Sequence, residues 1–231
     1  MPIVDISTRA GEARAVVHDV KEYIQGACWN KGMFYETRLL EYIYWHFKGR
    51  VFVDVGSNIG NHTLHFAKFC SPSHVISIEP VAEAMVIQKE VLALNGLKNV
   101  TFHECAASNY NGRGAMIGWE KNPSYYLTCG QLHDGDEVDV RTLDTLLADV
   151  KGINVLKIDV ETKESQVLEG AVGILDEHKP ALFVEFRKKP DYAWCKEFLR
   201  QFGYRQVGSH FQEGQVFEFT VHADETEVSG R

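Results

Sequence analysis

From Val51 onward, short strand-like runs alternate with longer segments whose apolar residues recur every three or four positions. Val51–Val55 lacks apolar/polar alternation, as a strand buried on both faces does, and Val75–Ile78, Val100–Cys105, Ile153–Ile158 and Ala181–Phe186 read as the strands that follow it. The segments between them read as helices: Gly60–Phe69, Ala82–Leu94 closed by Asn95-Gly96, Ser165–Leu175, and Ala193–Phe202 ending at Gly203. Ala115–Trp119 is expected as a short edge strand, and Tyr204–Val207 with Val216–Val221 as a terminal antiparallel pair. Upstream, Ala13, Val16, Val17, Val20 and Ile24 have helical spacing, so residues 7–27 are expected to form a helix. After a break at Trp29–Gly32, Thr37–Phe47 reads as a second helix, with Leu39, Leu40, Ile43, Tyr44 and Phe47 on one face. Strand–helix alternation of this kind predicts a doubly wound α/β sheet with its loops gathered on one edge.

At 231 residues the chain suits one domain. Residues 1–48 are expected as a helical cover, 49–222 as the core, and 223–231, acidic and poor in apolar residues, as a frayed tail. The formal net charge is −8 and no Lys/Arg run is present, which disfavours a broad grip on nucleic acid. The five cysteines, Cys28, Cys70, Cys105, Cys129 and Cys195, are scattered without a C-x-x-C pair. That usage, with no secretory leader visible at the N-terminus, leads us to expect reduced thiols in a cytoplasmic protein. No apolar run approaches the roughly 20 residues of a membrane span.

The chemistry is concentrated at the first two strand ends. Val51–Gly60 reads V-F-V-D-V-G-S-N-I-G, and the next strand runs Val75-Ile76-Ser77-Ile78 into Glu79 and Pro80. A buried strand, a glycine turn, a helix and a second strand ending in an acid is the layout of a nucleotide-type cofactor pocket. The turn is D-x-G-x-x-x-G rather than G-x-G-x-x-G. Without the early glycine, a pyrophosphate fits poorly, and a small cofactor held by an amino-acid tail and a ribose fits better. Asp54 is read either as a partner for an ammonium group or as a carboxylate that organises the turn. Gly56 and Gly60 allow close backbone approach to ligand and strand. Glu79 can accept two ribose hydroxyls, and Pro80 turns the chain away from helix.

The ordered motifs V-D-V-G-S-N-I-G-N-H-T-L-H-F-A, I-S-I-E-P, L-N-G-L-K-N-V-T, T-L-D-T-L-L and L-K-I-D-V-E-T-K-E-S-Q-V-L-E-G-A resemble the FkbM family of S-adenosylmethionine-dependent methyltransferases. The resemblance spans roughly Tyr35 to Val207. It implies a class I, Rossmann-like, seven-stranded sheet, mostly parallel with an antiparallel C-terminal strand. It also implies S-adenosylmethionine as cofactor and methyl transfer to a hydroxyl of a small molecule or glycan. On that basis Asp54, Gly56, Ser57, Asn58 and Gly60 surround the methionine part, Asn61 reaches its carboxylate, Glu79 and Pro80 hold the ribose, and Cys105-Ala106-Ala107 lie near the adenine. Tyr35-Glu36 match the family's usual Y-E and are expected over the cofactor. The family commonly has Gly where Thr162 stands here, so the turn after Glu161 is expected to be stiffer.

On the acceptor side, Asp159 and Glu161 end the fourth long strand. Methyl transfer to oxygen is an in-line displacement that needs the acceptor held and its proton removed. Asp159 is read as that base, as a partner of the cofactor's ammonium, as a cation ligand or, together with Glu161, as a strand-end acid capping the next helix. His62 is read as an alternative base or as a polar helix-face residue. Glu185 and, more weakly, His210 are candidates for substrate contact. Trp119, Tyr125 and Tyr126 either stack on an acceptor ring or pin their loop. His133-Asp134-Gly135-Asp136 is expected as a solvated turn, and no metal is expected. The competing functions are a non-catalytic cofactor-binding partner module, a nicotinamide-dependent oxidoreductase and, less favoured by charge, a nucleic-acid methyltransferase.

Overall fold

A computed structural model describes residues 1–70, 72–117, 131–187, 189–207 and 216–221. The chain opens with an antiparallel hairpin, β1 (Ile3–Thr8) and β2 (Gly11–Val16), followed by a π-helical turn at Ile24–Cys28, a 3-10 turn at Trp29–Lys31 and α1 (Thr37–His46). Then come β3 (Val51–Val55), α2 (Asn61–Phe69), β4 (His74–Ile78), α3 (Ala82–Leu94), β5 (Val100–His103), β6 (Ala106–Ala107) and β7 (Gly112–Ile117). The remainder is β8 (Gln131–Arg141), α4 (Leu143–Leu146), β9 (Ile153–Ile158), α5 (Glu164–Glu169), α6 (Val172–Glu177), β10 (Ala181–Glu185), α7 (Lys189–Arg200), β11 (Tyr204–Gln206) and β12 (Val216–Val221). Among the described residues, no helix is long and apolar enough to cross a membrane.

Seven strands form the central sheet in the order β11-β12-β10-β9-β3-β4-β5. The five from β10 to β5 run parallel, and β12 is antiparallel to both of its neighbours. The continuous apolar runs serve two cores at once. Phe52, Val75, Val155 and Phe183 pack under α1, α2 and α3, whereas Val53, Val55, Ile76, Leu156, Leu182 and Val184 pack against α5, α6 and α7. Alternation is present, therefore, but between two apolar layers.

Three expectations are corrected. Residues 7–27 are not a helix. Ile6, Ala13, Ala15 and Val17 enter the core with period two, and Thr8 Oγ1 closes the hairpin turn on the Gly11 carbonyl at 2.9 Å. Val20, which the helical reading needs inward, is exposed. The sequence reading places no strand between Trp119 and Ile153, yet β8 forms there and pairs with β7 and β6 in a separate three-stranded sheet. Its register jumps between Gly114–Val138 and Ala115–His133, so Asp134–Glu137 bulge from the pairing, exposed as a solvated turn would be. The helix expected over 165–175 is two short helices, divided at Gly170-Ala171. Trp119, Tyr125, Tyr126, Cys129, His210 and the tail from residue 223 lie outside the described residues.

Asn61 ties the N-terminal segment to the sheet. Its Oδ1 accepts from the Tyr35 N–H at 3.0 Å and from Trp29 Nε1 at 3.2 Å, and its Nδ2 donates to the Tyr35 carbonyl at 3.0 Å. Trp29 is fully buried, so loss of this partner strands its indole N–H away from water. Asn61→Ala is expected to cost about 2–4 kcal/mol in urea unfolding and to speed amide exchange around Tyr35. Unchanged stability and exchange would show that the segment is held elsewhere.

Candidate active site

Register alone gathers the site. Val55 pairs with Ile78 on one side and Ile158 on the other, and Ile158 pairs with Val184. One residue further along each strand stand Gly56, Glu79, Asp159 and Glu185. Four adjacent parallel strands thus present a glycine and three acids along one edge, which is where ligands bind in open α/β sheets. A cavity of about 330 Å³ opens there. Gly56, Asn58, Glu79, Pro80, Ala106, Asp159 and Glu161 line it, as do Tyr35, Cys105 and Glu185. Asp54, Ser57, Gly60, Asn61 and His62 do not line it; they build its frame.

The glycine turn is shaped by its protein neighbours. Gly56 has φ +74, and a Cβ there would lie 1.7 Å from the Asp159 carbonyl oxygen. Gly60 has φ +84, and a Cβ there would lie 2.4 Å from Gln88 Cγ. Both glycines are needed because strand β9 and helix α3 come so close. Gln88, which sequence reasoning missed, is a fully buried hub. Its Nε2 donates to Ser57 Oγ at 2.9 Å and to the Asn58 carbonyl at 3.0 Å, and its Oε1 accepts from Ser77 Oγ. Ser57 therefore anchors the turn from beneath, paired with Ser77 at 2.8 Å. In sequence Gln88 sits beside Lys89 and Glu90, and nothing there marks it as buried.

Glu79 is buried, with each carboxylate oxygen held by one backbone N–H: Asn58 to Oε2 at 2.8 Å and Val81 to Oε1 at 3.0 Å. The grip fixes the carboxylate yet leaves each oxygen a further acceptor site. Burial pushes its pKa up to about 7, against the pull of those N–H groups. Asn58 sits in the left-handed region, and its Oδ1 is buried without a donor among the described residues.

The other half of the cavity is a charge network. Lys157, paired in register with Asp54, is 2% exposed and lies 3.6 Å from Asp54 Oδ1 and 3.5 Å from Asp159 Oδ2. Burial draws its ammonium down, but Asp159 and Asp54 outweigh that and raise it. Asp54 Oδ2 accepts from Thr63 Oγ1 at 2.6 Å. Burial raises Asp159, yet Lys157 and a hydrogen bond from Glu185 hold its pKa well below the usual carboxylate range. Glu185 moves the opposite way, raised by burial and by the charge of Asp159. Glu161 is raised to about 8 by burial and by Asp159, with Arg187 opposing. Arg187 Nη1 lies 2.8 Å from Glu161 Oε2, and its Nε lies 3.6 Å from Glu185 Oε1.

His62, the other candidate base, is buried behind this wall, with Nε2 2.9 Å from Glu36 Oε2. Glu36 itself has φ 52 and begins α1. Tyr35 lines the cavity beside Tyr23 and Ile24 from the π-helical turn, and the two tyrosine rings meet edge to face at 5.8 Å. Lys157, Arg187, Tyr23 and Ile24 escaped the sequence reading. A Lys inside a strand run was a signal; the other three carried none.

The Glu79 shift has a testable consequence. Between its ordinary 4.5 and about 7, the folded chain holds a proton that the unfolded chain has lost. Stability is thus favoured below about pH 4.5 and lost as pH rises through about 7, on the order of 3 kcal/mol in all. Thermal unfolding across this range should show a flatter pH slope for Glu79→Gln than for the parent chain. Equal slopes would mean that Glu79 does not titrate in this window.

A model of the FkbM methyltransferase domain matches residues 54–206, from the acid of the glycine turn to the end of β11. The chain is 27% identical over 179 residues to Methyltransferase 1 of Beauveria bassiana (strain ARSEF 2860), covering 66% of this chain and 71% of that protein. The crystal structure of an FkbM methyltransferase from Methylobacillus flagellatus KT superposes with a TM-score of 0.56 at 20% identity, over 75% of this chain. The chain spans only 43% of that protein's length. A Pyrococcus abyssi tRNA (uracil-54, C5)-methyltransferase, solved with S-adenosyl-L-homocysteine, superposes with a TM-score of 0.51 at 13% identity, over 94% of this chain and 43% of that one. At such identities the solved structures speak for the Rossmann-like class I fold. The domain match covers two thirds of the chain and includes the end of β3 and the whole of β4, β9 and β10, whose ends form the cavity; the chain belongs to the FkbM methyltransferase family.

Proposed function

We propose that this methyltransferase uses S-adenosylmethionine and transfers its methyl group to a hydroxyl of a small molecule or glycan. One observation carries the reading: Glu79, fixed by two backbone N–H groups and with acceptor capacity to spare, faces the same cavity as the Asp159–Glu161 turn. The cavity volume falls within the usual range for small-molecule sites. Its donor set fits the cofactor. Glu79 suits a pair of ribose hydroxyls. Cys105, Ala106, Ala107, Met116 and Leu132 offer an apolar slot for a flat base. Asn58 Oδ1, buried without a donor, suits an ammonium group. Asp159, held anionic, complements a cationic ligand.

When bound, the cofactor supplies an electrophilic methyl group on a sulfonium. The chain's residues divide the remaining work. Asp159 is a poor base, since Lys157 and Glu185 stabilise its anion; its contribution is electrostatic. Glu161 is the better base. Its raised pKa suits proton transfer near neutral pH, and Arg187 holds Oε2 while the other carboxylate oxygen can take the acceptor's proton. Tyr23, Ile24 and Tyr35 close the cavity from the N-terminal side and limit water.

Calorimetric titration with S-adenosylhomocysteine and with NAD tests the cofactor. Binding of NAD alone would overturn the proposal. Glu79→Ala is expected to weaken S-adenosylhomocysteine binding by about 1–3 kcal/mol through lost ribose contacts. Radiolabelled methyl transfer into fractions of cell extract tests the acceptor, which should retain the label through an ether linkage. Glu161→Gln should lower that transfer by roughly 10²–10⁴ with cofactor affinity little changed. Cofactor binding without transfer to any fraction would favour a non-catalytic partner module.

A further inference from the structure

Glu164 is 3% exposed and does not line the cavity, yet it is hydrogen-bonded to the turn that does. After Asp159 N–H bonds the Val55 carbonyl at 3.0 Å, the chain leaves the sheet through two consecutive left-handed residues, Glu161 (φ 55) and Thr162 (φ 79). For a β-branched residue this conformation is a genuine outlier, which the surroundings must enforce. Glu164 Oε1 accepts from Thr162 N–H at 3.0 Å and from Val160 N–H at 3.3 Å, bracketing Glu161 from both sides. Lys163, at the start of the following helix, makes no side-chain cap. The turn also rests on the glycine loop: the Asp159 carbonyl fills the space where a Gly56 side chain would be, and Val160 Cγ1 lies 3.4 Å from the same point. Movement of this turn thus displaces both halves of the cavity.

We propose that Glu164 is a positioning residue, whose carboxylate clamps the left-handed turn and so aims Asp159, Val160 and Glu161 into the cavity. This deepens the cofactor reading and rests on it for its binding readout. A simple helix-capping role would affect stability without touching ligand affinity. It would also be indifferent to the backbone preference of residue 162.

The test uses the full chain and S-adenosylhomocysteine. Glu164→Ala should raise its dissociation constant about tenfold. Glu164→Gln keeps one oxygen acceptor and should stay within about threefold of the parent. Adding Thr162→Gly to Glu164→Ala should recover most of the loss, because glycine adopts the turn without enforcement. Parent-like binding by Glu164→Ala, equal losses in the Ala and Gln variants, or no recovery with Thr162→Gly would each overturn the clamp. If the parent chain does not bind S-adenosylhomocysteine, the cofactor reading fails and urea unfolding decides the clamp separately. A midpoint lowered by about 0.5–1 M in Glu164→Ala and recovered by Thr162→Gly supports it. Strict additivity of the two substitutions sinks it.

Discussion

The buried contact between Lys157 and Asp54 is the constraint on which the site is assembled. The two residues are partners in adjacent parallel strands, and Ser77 occupies the matching position on the other side of Asp54. All three are polar side chains on the face of the sheet that packs under α1, α2 and α3. Two charges in such a place are tolerated only together, since removing one partner of a buried pair typically costs about 3–5 kcal/mol. The pair therefore specifies register between β3 and β9, where a bulge at Val51/Phe52 must be absorbed. A slip of one residue between them would turn one charge toward the opposite apolar layer and leave its partner unpaired. With register set, Gly56 and Asp159 arrive side by side at the strand ends.

The same lysine organises the cavity's electrostatics. Its second contact, to Asp159, holds the pKa of that carboxylate low, whereas burial and the charge of Asp159 raise Glu185 and Glu161, with Arg187 opposing. Asp159, Glu185 and Glu161 thus acquire different properties from their surroundings alone. Division of labour among like residues follows from burial and from which cation each one touches.

The cavity is closed by a part of the chain that lies outside the matched domain. Tyr23, Ile24 and Tyr35 precede residue 54, yet they form one wall. They are held by polar ties to the beginning of α2: Asn61 to Tyr35 and Trp29, and His62 to Glu36. Residues that the motif would lead one to place around a ligand instead fasten the cover. The glycines likewise answer to β9 and α3 rather than to a ligand directly. A cofactor motif is therefore partly a packing motif, and its ligand-facing members are the ones that packing leaves uncovered.

Much of this was legible beforehand. The strand–helix rhythm marked all five parallel strands, and Gly56, Asn58, Glu79, Asp159 and Glu161, which the motifs singled out, line the cavity. Ala13, Val16, Val20 and Ile24 misled, because helical spacing and a short hairpin with small inward residues share positions; only the core at Ile6, Ala13 and Ala15 distinguishes them. Gln88, Lys157 and Arg187 acquired their roles from partners far away in sequence, and the left-handed turn at Glu161 and Thr162 depends on Glu164 folding back on it. Local pattern determined which segments are buried and which acids stand at strand ends, because burial and strand polarity are written in adjacent residues. The tertiary structure alone decided which acid keeps its proton and which side chains face the cavity, because those properties belong to pairs of residues that only the fold brings together.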